Sequence, residues 1–347
     1  MTTIPTIGAG PGRPLQGPAP LPARRGPVTD ALLHHLARPP HELPRLPAAV
    51  DDPLYGDDAA LALYVCYELH YRGLDGVDDR WEWEPSLLRE RARLEAAAER
   101  RLADEVGPRV PARPRDVLPA LLELAAGTGG PSLSGHVLAE GTLDQVREFA
   151  VHRSAYQLKE ADPHTWGIPR IPGPAKAALV GIQFDEYGAG VASRMHSELF
   201  SATMRGLGLD DRYGGYVDLL PGTTLATVNL VSLFGLHRRW RGALVGHLAL
   251  FEMCSVVPMR RYRDALLRLG AGEEAAEFYD VHVEADAVHE VIALEDLAGG
   301  LIVTEPDLAA DVVYGAAALD VVERRFATTL LGAWRDGRTA LLGPVPW

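Results

Sequence analysis

The sequence predicts an all-α fold. Apolar residues recur at helical spacing in one segment after another, Pro and Gly punctuate those segments, and no run sustains the alternation of a half-buried strand. At 347 residues and 47% apolar, the chain can bury a substantial core as one large domain or two ordinary ones.

The elements follow in order. Residues 1–27 are rich in Pro and Gly with almost no large apolar side chains, so they read as a disordered tail. The first helix is expected from an N-cap at Thr29 or Asp30 through DALLHHLARPP, stopped by Pro39 and Pro40. A second runs from about Asp57 to Tyr71 and ends at Gly73. After a turn carrying Trp81, Glu82 and Trp83, SLLRERARLEAAAERRLADEVG has Ser86 as cap and Gly107 as terminator. Further periodic segments cover 115–126, 142–160, 174–188, 194–206, 222–236, 241–255, 258–269, 272–295 and 307–334. The expected organisation is a tail (1–27), an N-terminal helical region (28–135) and a main helical domain (136–347).

Composition excludes several functions. A net charge of −13, with Lys159 and Lys176 the only lysines, argues against general nucleic-acid binding, which needs clustered basic residues. Two cysteines, Cys66 and Cys254, are too few for a disulfide framework or a thiolate zinc site, and a reducing cytoplasm is the expected compartment. No stretch approaches the roughly 20 apolar residues that span a bilayer, so a soluble protein without membrane or nucleic-acid partners is expected. The chain also lacks GxxxxGK[ST], HExxH, GxSxG and a GxGxxG placed between strand and helix.

The most informative segment is YDVHVEADAVHEVI, with His282, Asp286 and His289 at i, i+4 and i+7. At about 100° per residue these fall within a ~60° arc of one helical face, so three metal-binding side chains share a stripe. Glu284 falls opposite and Glu290 on the shoulder. The bland alternative, a polar stripe facing water, loses ground because carboxylates and histidines recur in QLKEADPHTW and GIQFDEYGAGVASRMHSELF. In an unbroken helix Glu186 and His196 would lie ~15 Å apart and ~80° out of phase. Gly188 and Gly190 between them predict a break that lets both approach one centre.

Here the chain resembles the haem-oxygenase-like di-iron oxidases and oxygenases, the iron-containing redox enzymes. The resemblance covers roughly residues 145–335 and rests on LKEADPH, QFDEYGAG followed by MHSELF, LFGLHRRWRGALVGHLALFEM and HVEADAVH. It implies a haem-oxygenase-like helical bundle with additional N-terminal helices. It also implies a metal-ligand set of Glu160, Glu186, His196, His282, Asp286 and His289, every position holding the expected residue type.

Three carboxylates and three imidazoles suit two iron ions cycling between Fe2+ and Fe3+, or manganese, and are too oxygen-rich for structural zinc. The paired ExxH motifs of ferritin-like proteins are absent. The expected function is O2-dependent oxidation of a small organic substrate through a peroxo-di-iron(III) species. N-oxygenation, desaturation and oxidative C–C cleavage are the family's reactions, and an amine or amino acid of secondary metabolism is the favoured substrate. O2 is the co-substrate, an external electron donor supplies reducing equivalents, and a homodimer is the expected assembly. The alternatives are a non-catalytic iron-storage or iron-sensing protein, and a cofactor-free oxidase or hydrolase, which would not need six metal ligands. Tyr156, Gln157 and Gln183 stand about a turn from Glu160 and Glu186 and are candidates for the substrate pocket. Structural roles are expected for Glu68 and His70 and ordinary helix-face positions for His237 and His247, while His152, Asp162 and His164 either orient a ligand beside Glu160 or, as the more frequent case, are exposed polar residues near a helix end. His34, His35 and His41 are expected to face solvent.

Overall fold

Over residues 17–110, 112–127 and 132–347, which the computed structural model describes, helices form and strands do not; an isolated bridge joins Ala19 to Leu74. The helices are α1 (Pro27–Leu36), α2 (Asp57–Glu68), α3 (Pro85–Val106), α4 (Pro114–Ala126), α5 (Leu133–Ala139), α6 (Leu143–Gln157), α7 (Asp162–Thr165) and α8 (Gly173–Glu186). They continue as α9 (His196–Gly206), α10 (Gly222–Leu236), α11 (Arg241–Met253), α12 (Val256–Arg268), α13 (Glu273–Val291), α14 (Gly300–Thr304) and α15 (Ala309–Arg335).

Most boundaries lie close to those the periodicity predicts, and the departures have local causes. Helix α1 starts at Pro27, where a missing N–H costs nothing, and Thr29 Oγ1 accepts from Gly26 N from inside the helix. Helix α6 stops at Gln157 instead of 160, because the chain turns ahead of Ala161, a residue with φ 75°. Helix α13 gives way at Ile292 to a π-helical segment, Ile292–Gly299, a rare geometry without a periodicity signature of its own.

The tail expectation needs correction. Residues 1–16 lie outside the described residues, but 17–26 are tied to the fold by long-range bonds: Asp75 N donates to Ala19 O (2.8 Å), Ala23 N to Asp218 Oδ1 (2.7 Å), and the Arg25 guanidinium to the Val217 and Leu220 carbonyls. Low apolar content says little about a segment whose backbone is satisfied by distant loops.

Helices α11 and α15 form the most extensive pair. They approach closely because glycine lines the contact: a Cβ added at Gly246 would collide with the Val312 backbone, and one at Gly315 with the Ala243 backbone. Helices α12 and α9 pack on α13, and α2 packs on α10. One apolar core runs from Val28 and Leu61 through Phe200 and Phe234 to Phe326, so the N-terminal helices share it with the main bundle. A second core gathers α8, α11, the π-helical segment and α15 around Leu179, Val245, Leu297 and Val312. Among the described residues no single helix is long and apolar enough to cross a membrane.

Gly246→Ala is expected to destabilise the protein by about 3 kcal/mol, because backbone must move to admit the methyl group in a packed core. Chemical denaturation checks this, and a loss within about 0.5 kcal/mol, as for a surface substitution, would show that the α11–α15 contact yields.

Candidate metal centre

Glu160 reaches the interior through the turn after α6. Its neighbour Lys159 is fully buried and ion-paired to Glu68 of α2 (2.8 Å), which also accepts from the Tyr213 hydroxyl (2.5 Å). That buried pair fixes the chain beside Glu160, and the left-handed Ala161, a conformation that costs a non-glycine residue about 1–2 kcal/mol, redirects it into α7.

Glu186 is the last residue of α8 and His196 the first of α9. Between them Gly188, Ala189 and Gly190 all have positive φ (66°, 53° and 81°), the break that the two glycines predict. It brings His196 Nδ1 to 2.8 Å from Glu186 Oε2. A Cβ at Gly188 would lie 2.6 Å from Met195 N, beside His196, whereas one at Gly190 would meet nothing within 4 Å. Gly188→Ala is therefore expected to weaken metal binding at least about tenfold, with Gly190→Ala paying only the roughly 1–2 kcal/mol of its φ. Equilibrium dialysis with manganese(II) checks this; equal affinity in Gly188→Ala and the parent would show that the turn does not set the geometry.

On α13 the His282, Asp286 and His289 side chains are all buried, while Glu284 is exposed and Glu290 half-buried. The His196 and His282 rings lie 4.2 Å apart between centroids. His282 Nε2 is 3.7 Å from Glu160 Oε2, and His289 Nδ1 is 3.7 Å from Glu186 Oε1 and 4.0 Å from Asp286 Oδ1. The structure thus gathers Glu160, Glu186, His196, His282, Asp286 and His289 in one interior region.

It also adds a residue that the sequence reading missed. Glu252, near the end of α11, is buried with Oε2 3.6 Å from His289 Nδ1. Its signal was present as a lone carboxylate inside the apolar run ALVGHLALFEM. Donor atoms fall into two compact groups, Glu160, Glu186, His196 and His282 in one, Glu186, Glu252 and His289 in the other, each within 4.8 Å, with Glu186 common to both.

The polar atoms fit metal ions better than they fit one another. His282 Nδ1 donates to the Phe278 carbonyl (2.7 Å) and His289 Nε2 to Asp185 (3.2 Å), so each ring is anchored by its outer nitrogen and turns the other inward. Glu160 Oε2, His196 Nδ1, Asp286 Oδ2 and His289 Nδ1 are buried without a hydrogen bond. Orphaned nitrogen and oxygen atoms of this kind, in or beside the two donor groups, are what a cation would satisfy.

Without an ion, protons hold the charges together. Burial raises Glu160 and Glu252, lifts Glu186 to about 7 against the pull of His282 and His289, and lifts Asp286 to about 6. Burial opposes charge on His282 and His289, but carboxylates outweigh it: Glu160 above all raises His282 to about 10, and Glu252 raises His289 to about 9. Burial, helped by His282, lowers His196 to about 4.

A small cavity, about 10 Å³, is lined by Glu160, Glu186, Glu252, His282 and Asp286 of this set and also by Tyr156, Gln183, His164 and Phe251. Gln183 is engaged, its Nε2 donating to Ala161 O (2.8 Å) and Thr165 Oγ1 (2.6 Å). Gln157 does not face this space, since the next residue on a helix turns away by about 100°. It lines a larger cavity, about 830 Å³, which shares Phe251 and Ser255 with the small one, and its Oε1 is buried without a partner.

Other histidines go elsewhere. His152 bonds Thr224 (2.7 Å), and His237 bonds Glu95 (2.9 Å). His164, expected near a helix end in solvent, is buried and bonded to His247 (3.1 Å), a long-range pairing without a sequence signature. His35 and His41 bond each other (2.8 Å) and are half-buried instead of solvent-facing.

A family model described as iron-containing redox enzyme matches residues 147–322, the stretch that carries all seven buried donors. A nitrosourea synthase of Streptomyces achromogenes subsp. streptozoticus is 26% identical over 227 residues, covering 63% of this chain. The chain spans about half, 48%, of that curated relative's length.

Proposed function

The chain belongs to the iron-containing redox enzyme family, and from that premise we propose that it is an O2-dependent oxidoreductase with two non-haem irons, acting on a small amine or amino acid. The observation that carries this reading is the buried set of four carboxylates and three imidazoles, whose donor atoms fall into two compact groups with Glu186 common to both, beside a space of about 10 Å³ lined by the four carboxylates and His282. Four carboxylates balance the charge of two divalent ions, and mixed oxygen and nitrogen donors suit iron(II) or manganese(II). When bound, the irons supply the electrons and the coordination sites that O2 chemistry requires.

The protein's own residues do the rest. Phe278 O and Asp185 fix the two α13 imidazoles, and Lys159 with Glu68 fixes the Glu160 turn. Tyr156, Leu248 and Phe251 limit water around the donors. The 830 Å³ cavity is of a size for a small organic molecule and holds it on the Phe251 and Ser255 side, where Gln157 Oε1 offers an unpaired acceptor for an N–H group. A nitrosourea carries a nitroso group on nitrogen, and the relative named for making one favours nitrogen as the atom oxidised.

Anaerobic loading with iron(II), then O2 uptake across a panel of amines and amino acids, tests the proposal. The expected result is substrate-dependent O2 consumption that saturates at about two irons per chain, with oxygen from 18O2 in the product. Iron accumulating well beyond that ratio, with no substrate oxidised, would favour storage instead.

A further inference from the structure

The donor set is approached from two sides of opposite character. The 830 Å³ cavity on the Phe251 side is mainly apolar. The other side opens into a groove, also about 830 Å³, between α9 and α13 and the end of α8, and its lining includes His196, Asp185, Glu198, Glu274, Glu277 and Glu284. Glu274, Glu277 and Glu284 stand on one stripe of α13, within about 80° of arc, on a face turned away from His282. One helix therefore presents metal donors inward and carboxylates outward.

Acidic surface is common in a chain of net charge −13, and three features separate this groove from it. The carboxylates outnumber the groove's two arginines and make no ion pair with them: among the described residues none of Glu198, Glu274, Glu277 and Glu284 has a basic side chain within 4.0 Å, Arg205 is held by Asp211 (2.6 Å), and Arg194 lines the groove without pairing to them. The groove ends on His196, 2% exposed, whose Nδ1 lies 2.8 Å from Glu186 Oε2 yet makes no hydrogen bond, two lone-pair donors side by side. It also ends on Asp185, whose side chain is 55% exposed and accepts from His289. Both donor groups are thus one residue from the groove, His196 in one and His289 through Asp185 in the other.

We propose that this groove is the route by which divalent metal ions reach the centre, its carboxylates raising the local cation concentration and passing ions to His196 and Glu186. The proposal rests on the metal-centre reading above and adds where metal enters. A converging set of charges with a net sign accelerates capture of an opposite charge by about 10- to 1,000-fold, an advantage that fades as salt shortens the Debye length.

Metal-free full-length protein, mixed anaerobically with cobalt(II) in a stopped-flow instrument, reports loading through the cobalt visible bands and needs no turnover. Glu277→Gln with Glu284→Gln removes two charges at exposed positions outside the donor set; Glu123→Gln with Asp307→Asn removes two from exposed positions elsewhere. At low ionic strength the groove variant is expected to load at least about fivefold more slowly than the parent and the control, the difference closing as salt rises, with final stoichiometry and spectrum unchanged. Equal loading rates overturn the route while leaving the metal centre standing, and equal slowing in the control overturns it as well. A lower final stoichiometry in the groove variant also overturns it, by making these glutamates ligands. A parent that takes up no cobalt contradicts the metal-centre reading itself.

Discussion

Replacing Asp286 by alanine is expected to leave a folded protein that holds one iron in place of two and loses O2-dependent turnover by more than about 100-fold, since even residues that only orient ligands cost 10- to 100-fold. Asp286 is 1% exposed, its Oδ2 lacks a hydrogen bond, and its Oδ1 lies 4.0 Å from His289 Nδ1, beside the group formed by Glu186, Glu252 and His289. Removing it leaves that group short of a negative charge while Glu160, His196 and His282 stay in place. Alanine is the best helix former, and α13 stays packed against α9 and α12, so far-UV circular dichroism should change little. Metal analysis of the variant decides the matter: two irons bound as tightly as in the parent, with unchanged O2 reactivity, would put Asp286 outside the centre.

Raising pH from 7 to 9.5 is expected to lower the melting temperature of the metal-free protein and to enlarge the increment that metal adds. The folded metal-free protein keeps protons on His282, raised to about 10, and His289, raised to about 9, that the unfolded chain releases near its ordinary 6.5. Over this window the folded state binds more protons, so stability falls as pH rises, by at most about 1.4 kcal/mol per pH unit for each proton. The contribution is fully present below 6.5 and lost as pH passes through 9 and 10. Glu186, raised to about 7, and Asp286, raised to about 6, act in the same direction at lower pH. His196, lowered to about 4, acts oppositely only below its ordinary value. A divalent ion must displace the two imidazolium protons, so its apparent affinity rises across the same range. Scanning calorimetry with and without manganese(II) tests both; a melting temperature of the metal-free protein that is flat or rising from pH 7 to 9.5 would contradict the charge assignment.

What the sequence reveals of this site tracks how local each signal is. The α13 stripe is legible because i, i+4, i+7 spacing fixes a common face whatever the rest of the chain does. The approach of Glu186 to His196 is legible because two glycines in three residues mark a break, and the structure shows positive φ at both. Glu252 is a single carboxylate in an apolar helix, without a spacing partner, and only packing of α11 against α13 brings it to His289. The pairing of His164 with His247 and the buried Lys159–Glu68 ion pair join residues 83 and 91 positions apart, beyond the reach of any periodicity. Residues 17–26 and the π-helical segment fall in the same class, set by tertiary contacts over local preference.

The dinuclear centre is the central claim, and iron anomalous scattering from crystals soaked anaerobically in iron(II) tests it most directly. Two peaks about 3.5–4 Å apart are expected, one among Glu160, His196 and His282, the other among Glu252, Asp286 and His289, with Glu186 between them. A single peak, or iron bound away from these seven side chains, would contradict it.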